Sequence, residues 1–232
     1  MLSTDLKSFT LRCSIFLLVT GSILIFAFPI GGALDLYFIQ PWVSQTGGFP
    51  LRDNWYLVDL NHKIFKKILI TFYVSILFIW LASFKVEKLK PYRWQAGYLF
   101  WLIILSTSLI GLLKSQSAHA CPWNMTHETP TGYIWVFSAT HGHCFPGGHA
   151  STGFALLVGF FVFRLSNPKI AYSFLILGFI IGSILGWGQM MRGAHFLSHN
   201  LWTAWIIFAL NTACYFYFYP RFIKNKPIQL NS

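Results

Sequence analysis

Uncharged, apolar runs of membrane length alternate along this chain with short breaks rich in charge, glycine or proline. Between Arg12 and Asp35 lie 22 uncharged residues, enough at 1.5 Å per residue to cross a bilayer core of about 30 Å. Comparable runs predict spans at about 13–34, 68–84, 94–113, 148–165, 170–188 and 195–219. The fourth is short, so it should begin within the loop before it or let Arg164 snorkel from its far end. The segment Phe28–Leu34 has the look of a signal-peptidase site, yet the run before it is long for a signal peptide, and we read it as a retained helix. Pro41, Gly47, Gly48 and Pro50 mark a loop, and Trp55–Lys67 reads as a partly amphipathic surface segment. A polar connection, 114–149, rich in His, Gly, Pro and Thr, separates the third span from the fourth. The pattern holds no internal repeat. It predicts an all-α integral membrane protein, one domain of six transmembrane helices over residues 1–232.

Composition agrees with a bilayer as solvent. Hydrophobic residues make up 55% of the chain and charged residues 10%, whereas a soluble domain carries about a quarter charged. The aromatic share of 19% suits rings gathered at the two interfaces. A formal charge of +11 would suggest nucleic acid in a soluble protein, but here it reflects basic loops, and no nucleic-acid partner is expected. With six spans, one side collects Lys7, Arg12, Lys85, Lys88, Lys90, Arg93, Arg164, Lys169, Arg221, Lys224 and Lys226. The other side holds Arg52, Lys63, Lys66, Lys67, Lys114 and Arg192. Eleven against six places both termini in the cytoplasm. Lys114, His149, Arg192 and His195 then share the outer side.

That convergence matters because ionisable groups are expensive at membrane depth and usually mark a site. Arg192, His195 and His199 are spaced three and four apart, so on a helix they share a face. The plain alternative is an interfacial arginine beside two polar histidines at a helix end. Against it stand a second cluster, Cys144–Ser151, which contains Gly147, Gly148 and His149, and a lysine, Lys114, at the mouth of another apolar run. Two histidines, a lysine and an arginine make a cationic pocket suited to phosphate. Lys and Arg bind its oxygens by charge-assisted hydrogen bonds, and two glycines admit backbone N–H groups. One histidine could attack phosphorus while the other protonates the leaving oxygen.

In these residues the chain resembles the type 2 phosphatidic acid phosphatase (PAP2) superfamily of membrane lipid phosphatases, haloperoxidases and acid phosphatases. The superfamily pattern K-x6-R-P, P-S-G-H, S-R-x5-H-x3-D is met by Lys114-x6-Cys121-Pro122, by Pro146-Gly147-Gly148-His149, and by a run ending His195-x3-His199. The likeness covers about residues 95–215, and the last two segments are similar to a bacterial membrane-associated branch. The resemblance implies a PAP2-like helical bundle with His195 as nucleophile, His149 as general acid and Lys114 as a phosphate ligand. It implies no cofactor and no metal. It further implies a lipid phosphate phosphatase in the bacterial inner membrane, its site facing the periplasm. Candidate substrates are polyprenyl pyrophosphate, phosphatidic acid, phosphatidylglycerol phosphate and lipid A. Two alternatives share the same pocket: a phosphotransferase that resolves the phosphohistidine with a lipid hydroxyl, and a non-enzymatic lipid-phosphate carrier.

The departures are specific. Cys121 stands where the first motif has arginine, and Gly188-Gln189 where the third has Ser-Arg. Arg192, one turn further on, is the expected replacement for that second arginine. His199 stands where the superfamily has the aspartate that orients the nucleophile. Carboxylates that could compensate on the outer side are Asp35, Asp53, Asp59 and Glu128.

Cys13 and Cys214 fall in apolar runs and read as packing residues. Cys121 and Cys144 lie 23 positions apart in the outer loop, where a periplasmic setting permits a disulfide; two free thiols are the alternative. His119, Cys121, His127, His141, His143 and Cys144 could instead be zinc ligands, but their spacing matches no familiar zinc signature.

Overall fold

A computed structural model of the protein describes residues 4–139 and 142–225. His141 and Lys226 lie outside the described residues. Five helices are long and apolar enough to cross a membrane, and a shorter apolar helix, Gly148–Phe163, accompanies them. In chain order the helices are α1 (Thr4–Phe26), α2 (Ala33–Ile39), α3 (Phe65–Ala82), α4 (Arg93–Ser115), α5 (Gly148–Phe154), α6 (Val158–Phe163), α7 (Pro168–Met191) and α8 (Leu197–Lys224). A two-stranded antiparallel hairpin, β1 (Thr126–Thr129) and β2 (Gly132–Trp135), sits in the connection between α4 and α5.

The first span lies some nine residues earlier than its apolar run suggests. Pro29 and the left-handed Gly31 (φ +71°) end it, while the charged residues near its start are tolerated because Asp5 is paired. Arg164, at the end of α6, grips Asp5 with both terminal nitrogens (3.0 and 2.9 Å) and also donates to the Tyr215 hydroxyl at 2.9 Å. A bidentate guanidinium–carboxylate pair satisfies both groups at the end of the apolar zone. The segment Tyr56–Ile64 is π-helical and runs directly into α3, so what reads as a separate surface segment extends a span.

The centre of the bundle is built on glycines that let backbones touch. A Cβ on Gly153 would lie 2.5 Å from the backbone nitrogen of Gly182, so α5 meets α7 with no side chain between them. Close approach of this kind is a main source of helix association where water supplies no hydrophobic drive. Leu157, Phe161, Leu185, Ile207 and Tyr215, all at most 1% exposed, fill the layer around it. Many residues of α1, α3, α4 and α7 remain apolar and outward-facing, Leu18 and Phe78 among them. That is the surface expected of helices solvated by lipid.

Candidate functional site

Four basic side chains meet at one end of the bundle, each delivered by a different device. Lys114 ends α4, His149 opens α5, His195 sits in the turn between α7 and α8, and His199 lies in the first turn of α8. The α7–α8 turn is a Schellman motif. Gly193 N–H bonds the Met190 carbonyl at 2.9 Å, Ala194 N–H bonds the Gln189 carbonyl at 2.9 Å, and Gly193 is left-handed at φ +75°. A side chain at that position would carry a steric penalty. The reversal hands His195 to the inside of the bundle, where it is 3% exposed.

The start of α8 is capped from afar. Its own N-cap, Phe196, makes no side-chain bond. Asp35 of α2 instead accepts from Ser198 N–H at 2.8 Å and from the Ser198 hydroxyl, and also receives Gly31 N–H at 2.9 Å. A carboxylate at a helix N-terminus answers both the free N–H groups and the positive end of the dipole. Asp35 is fully buried; burial pushes its carboxyl above the usual range, against the pull of these three hydrogen bonds.

The Pro-Gly-Gly turn is clamped onto α8. Gly147 N–H bonds the His199 carbonyl at 3.1 Å, and the Thr203 hydroxyl bonds the Gly147 carbonyl at 3.1 Å. The Asn200 side chain fills the space a Cβ on Gly147 would need, so this glycine serves close approach. Gly148 faces Lys114: a Cβ there would lie 3.3 Å from the lysine Cδ. The lysine stem and the start of α5 are therefore in contact.

His195 Nδ1 lies 3.4 Å from His199 Nδ1, with ring centroids 5.7 Å apart. The main chain of Cys144 lies beside both rings. Burial, and after it the positive charge of Lys114 and the presence of His199, hold His195 well below its ordinary value of 6.5. His195 is thus a neutral base at neutral pH. Among the described residues Nε2 of the fully buried His199 has no hydrogen-bond partner.

Arg192 caps the end of α7, and its guanidinium is held away from the histidines by other partners. Its Nε donates to the Arg52 carbonyl at 2.7 Å and its Nη1 to the Gln189 side chain at 3.2 Å. The guanidinium therefore overlies Gln189, the position of the superfamily arginine. Cys121 and Cys144 are joined in a disulfide with Cα atoms 5.1 Å apart, which denies both thiolates to zinc. Among the described residues no group of three His, Cys, Asp or Glu is arranged to hold a metal ion. Cys144 N–H also bonds the His119 carbonyl at 2.8 Å, so the segment leaving α4 is tied to the segment entering the Pro-Gly-Gly turn.

Two residues join the site that the motifs do not single out for it. The His119 ring lies 6.4 Å from that of His199, with Phe145 in contact with both at 5.4 and 5.5 Å. Its only sequence signal is its place between Lys114 and Cys121. Asp35 is the second, and its signal is scarcity, as one of six carboxylates in the chain.

A cluster of lysine and histidine nitrogen groups is suited to an anion with several oxygens. No curated protein and no solved structure matches the chain. The profile of the PAP2 superfamily matches residues 95–223. Because that match covers more than half of the chain and every helix that delivers the cluster, this membrane protein belongs to the PAP2 superfamily and has an activity of the phosphatase type.

Proposed function

We propose that the protein is a lipid phosphate phosphatase, removing a phosphomonoester or pyrophosphate group from a membrane lipid at the periplasmic face of the bacterial inner membrane. The observation that carries this reading is the meeting of Lys114, His149, His195 and His199 at one end of a membrane bundle. A lipid headgroup at that interface can reach them while its tails stay in the bilayer.

His195 Nδ1 is turned towards His199, which leaves Nε2 to attack phosphorus. A P–N bond forms as the P–O bond to the lipid breaks, and protonated His149 gives its proton to the departing lipid oxygen. Water then attacks the phosphohistidine, His149 takes a proton from it, the P–N bond breaks, and inorganic phosphate leaves. Lys114 and Arg192 bind the phosphoryl oxygens, and Gly147 and Gly148 admit the N–H groups at the start of α5. His199 takes the orienting role of the superfamily aspartate, its Nδ1 lying 3.4 Å from that of His195. The reaction needs no cofactor, and both chain termini lie in the cytoplasm.

The test is phosphate release from a panel of lipid phosphates by the purified protein and its His195→Ala variant. Loss of turnover by on the order of a thousandfold or more, with substrate still bound, is expected of a missing nucleophile. Turnover near that of the parent would remove His195 from that role. Transfer of phosphate to an added lipid alcohol, with little free phosphate, would replace hydrolysis by phosphotransfer.

A further inference from the structure

At the end of the bundle opposite the histidines lies a second, unassigned site. The first half of α4, the last part of α3 and the last part of α8 enclose a groove of about 820 Å³. Arg221, on the wall of this groove, is 22 residues along α8 from His199, or about 33 Å at helical rise. The groove is therefore separate from the catalytic cluster.

Its chemistry divides along its length. Lys90, Arg93 and Arg221 gather at the mouth, and no Asp or Glu lines it among the described residues. Lys90 pairs with Glu87 at 3.4 Å, outside the lining, and Arg93 is spent on the Ser83 carbonyl and hydroxyl. Arg221 rests its guanidinium 5.4 Å over the Trp94 ring, and no ion pair is recorded for it among the described residues. Beyond the mouth the wall becomes apolar, through Trp101, Leu102 and Leu105. Twelve residues of α4 separate Arg93 from Leu105, about 18 Å of helix. Trp101 and Leu105 are 56% and 48% exposed on a span whose outer surface meets lipid.

Two buried donors complete the picture. Tyr98 lines the groove and is only 8% exposed, yet its hydroxyl has no hydrogen-bond partner among the described residues. The Trp94 indole N–H, on the same wall, is likewise buried without one. Buried donors left unpaired are costly, and a ligand oxygen that reached them would recover the cost.

We propose that this groove is a binding site for an anionic phospholipid of the leaflet opposite the catalytic histidines. Its phosphate sits by Arg221 and Lys90, and one acyl chain lies along Trp101, Leu102 and Leu105. A soluble phosphate would meet only the mouth and leave the apolar wall unused. Basic residues near a membrane surface draw anionic lipid, and a guanidinium held over an aromatic ring is placed for it in advance.

The experiment is native mass spectrometry of the full-length protein titrated separately with phosphatidylglycerol and phosphatidylcholine. The first is a phosphodiester that the proposed hydrolysis leaves intact. The parent should retain phosphatidylglycerol in preference to phosphatidylcholine. Arg221→Gln should weaken that retention roughly tenfold, the worth of one charge-assisted hydrogen bond, and Arg221→Lys should keep most of it. Arg221 is exposed, so its replacement leaves folding intact. Lys114→Gln, at the other end, should leave retention unchanged. Equal binding by the parent and Arg221→Gln would overturn the proposal. So would equal retention of the two lipids, loss of binding in Lys114→Gln instead, or displacement of the lipid by soluble glycerol phosphate.

Discussion

The two ends of the bundle both concentrate basic side chains, and they handle them in opposite ways. At the His195 end Lys114, His149, His195 and His199 crowd together, and the nearest buried carboxylate, Asp35, is committed to the N-terminus of α8. At the other end three arginines have partners: Arg164 holds Asp5 and Tyr215, Arg93 holds Ser83, and Arg221 lies on Trp94. The first arrangement gains most when an anion enters, because the ligand brings negative charge to a group of basic nitrogens. Scaffold differs as well: the His195 end is fixed by a Schellman turn, a clamped Pro-Gly-Gly turn and a disulfide, whereas the groove is open along an outward-facing wall.

The sharpest way to break this contrast is to remove one arginine from each end. Arg192→Gln should lose most phosphate release, at least on the order of a hundredfold, as expected for a missing oxyanion ligand. Arg221→Gln should leave turnover close to the parent's. Similar effects from both would mean that the ends are not functionally distinct. A smaller effect is expected from Cys121→Ser with Cys144→Ser. Opening a loop of 23 residues should lower stability by about 3 kcal/mol in the loop-entropy account. It should also loosen the His195 end selectively, seen as faster amide exchange at residues 117–121 and 143–149 and not around the groove. Uniform exchange would deny the staple that role.

The smallest effect concerns pH. The unfolded chain protonates His195 near 6.5, and the folded chain only well below that. Below 6.5 the unfolded state therefore binds the extra proton, so stability falls as pH drops and levels off above. Thermal melting in detergent should show this slope, and His195→Gln should flatten it. An unchanged slope in that variant would show that His195 is not kept neutral by its surroundings.

Much of this was legible before any coordinates. Apolar runs locate six helices because a bilayer demands uninterrupted apolar length, and Lys114, His149, His195 and His199 stand out because charge is scarce in such runs. The chain also shows why its ends blur: a helix can begin on charged residues, as α1 does, when a distant Arg164 pairs with Asp5. Nothing local announces that partner. The hairpin Thr126–Trp135 escaped notice for a similar reason, since two strands of four residues leave too short an alternation to stand out from loop.

By itself the sequence determined the membrane setting, the all-α class and the superfamily, and it singled out Lys114, His149, His195 and His199. Each follows from local composition or spacing, which the chain carries in one dimension. Only the tertiary structure decided that Asp35 caps α8 from 163 residues away, that His119 and Phe145 stand against His199, and that Arg192 is held by the Arg52 carbonyl. It alone assembled the groove at Arg221 from three helices. These are contacts between segments remote along the chain, and they are set by which faces pack together, an outcome of the whole bundle that no single stretch encodes.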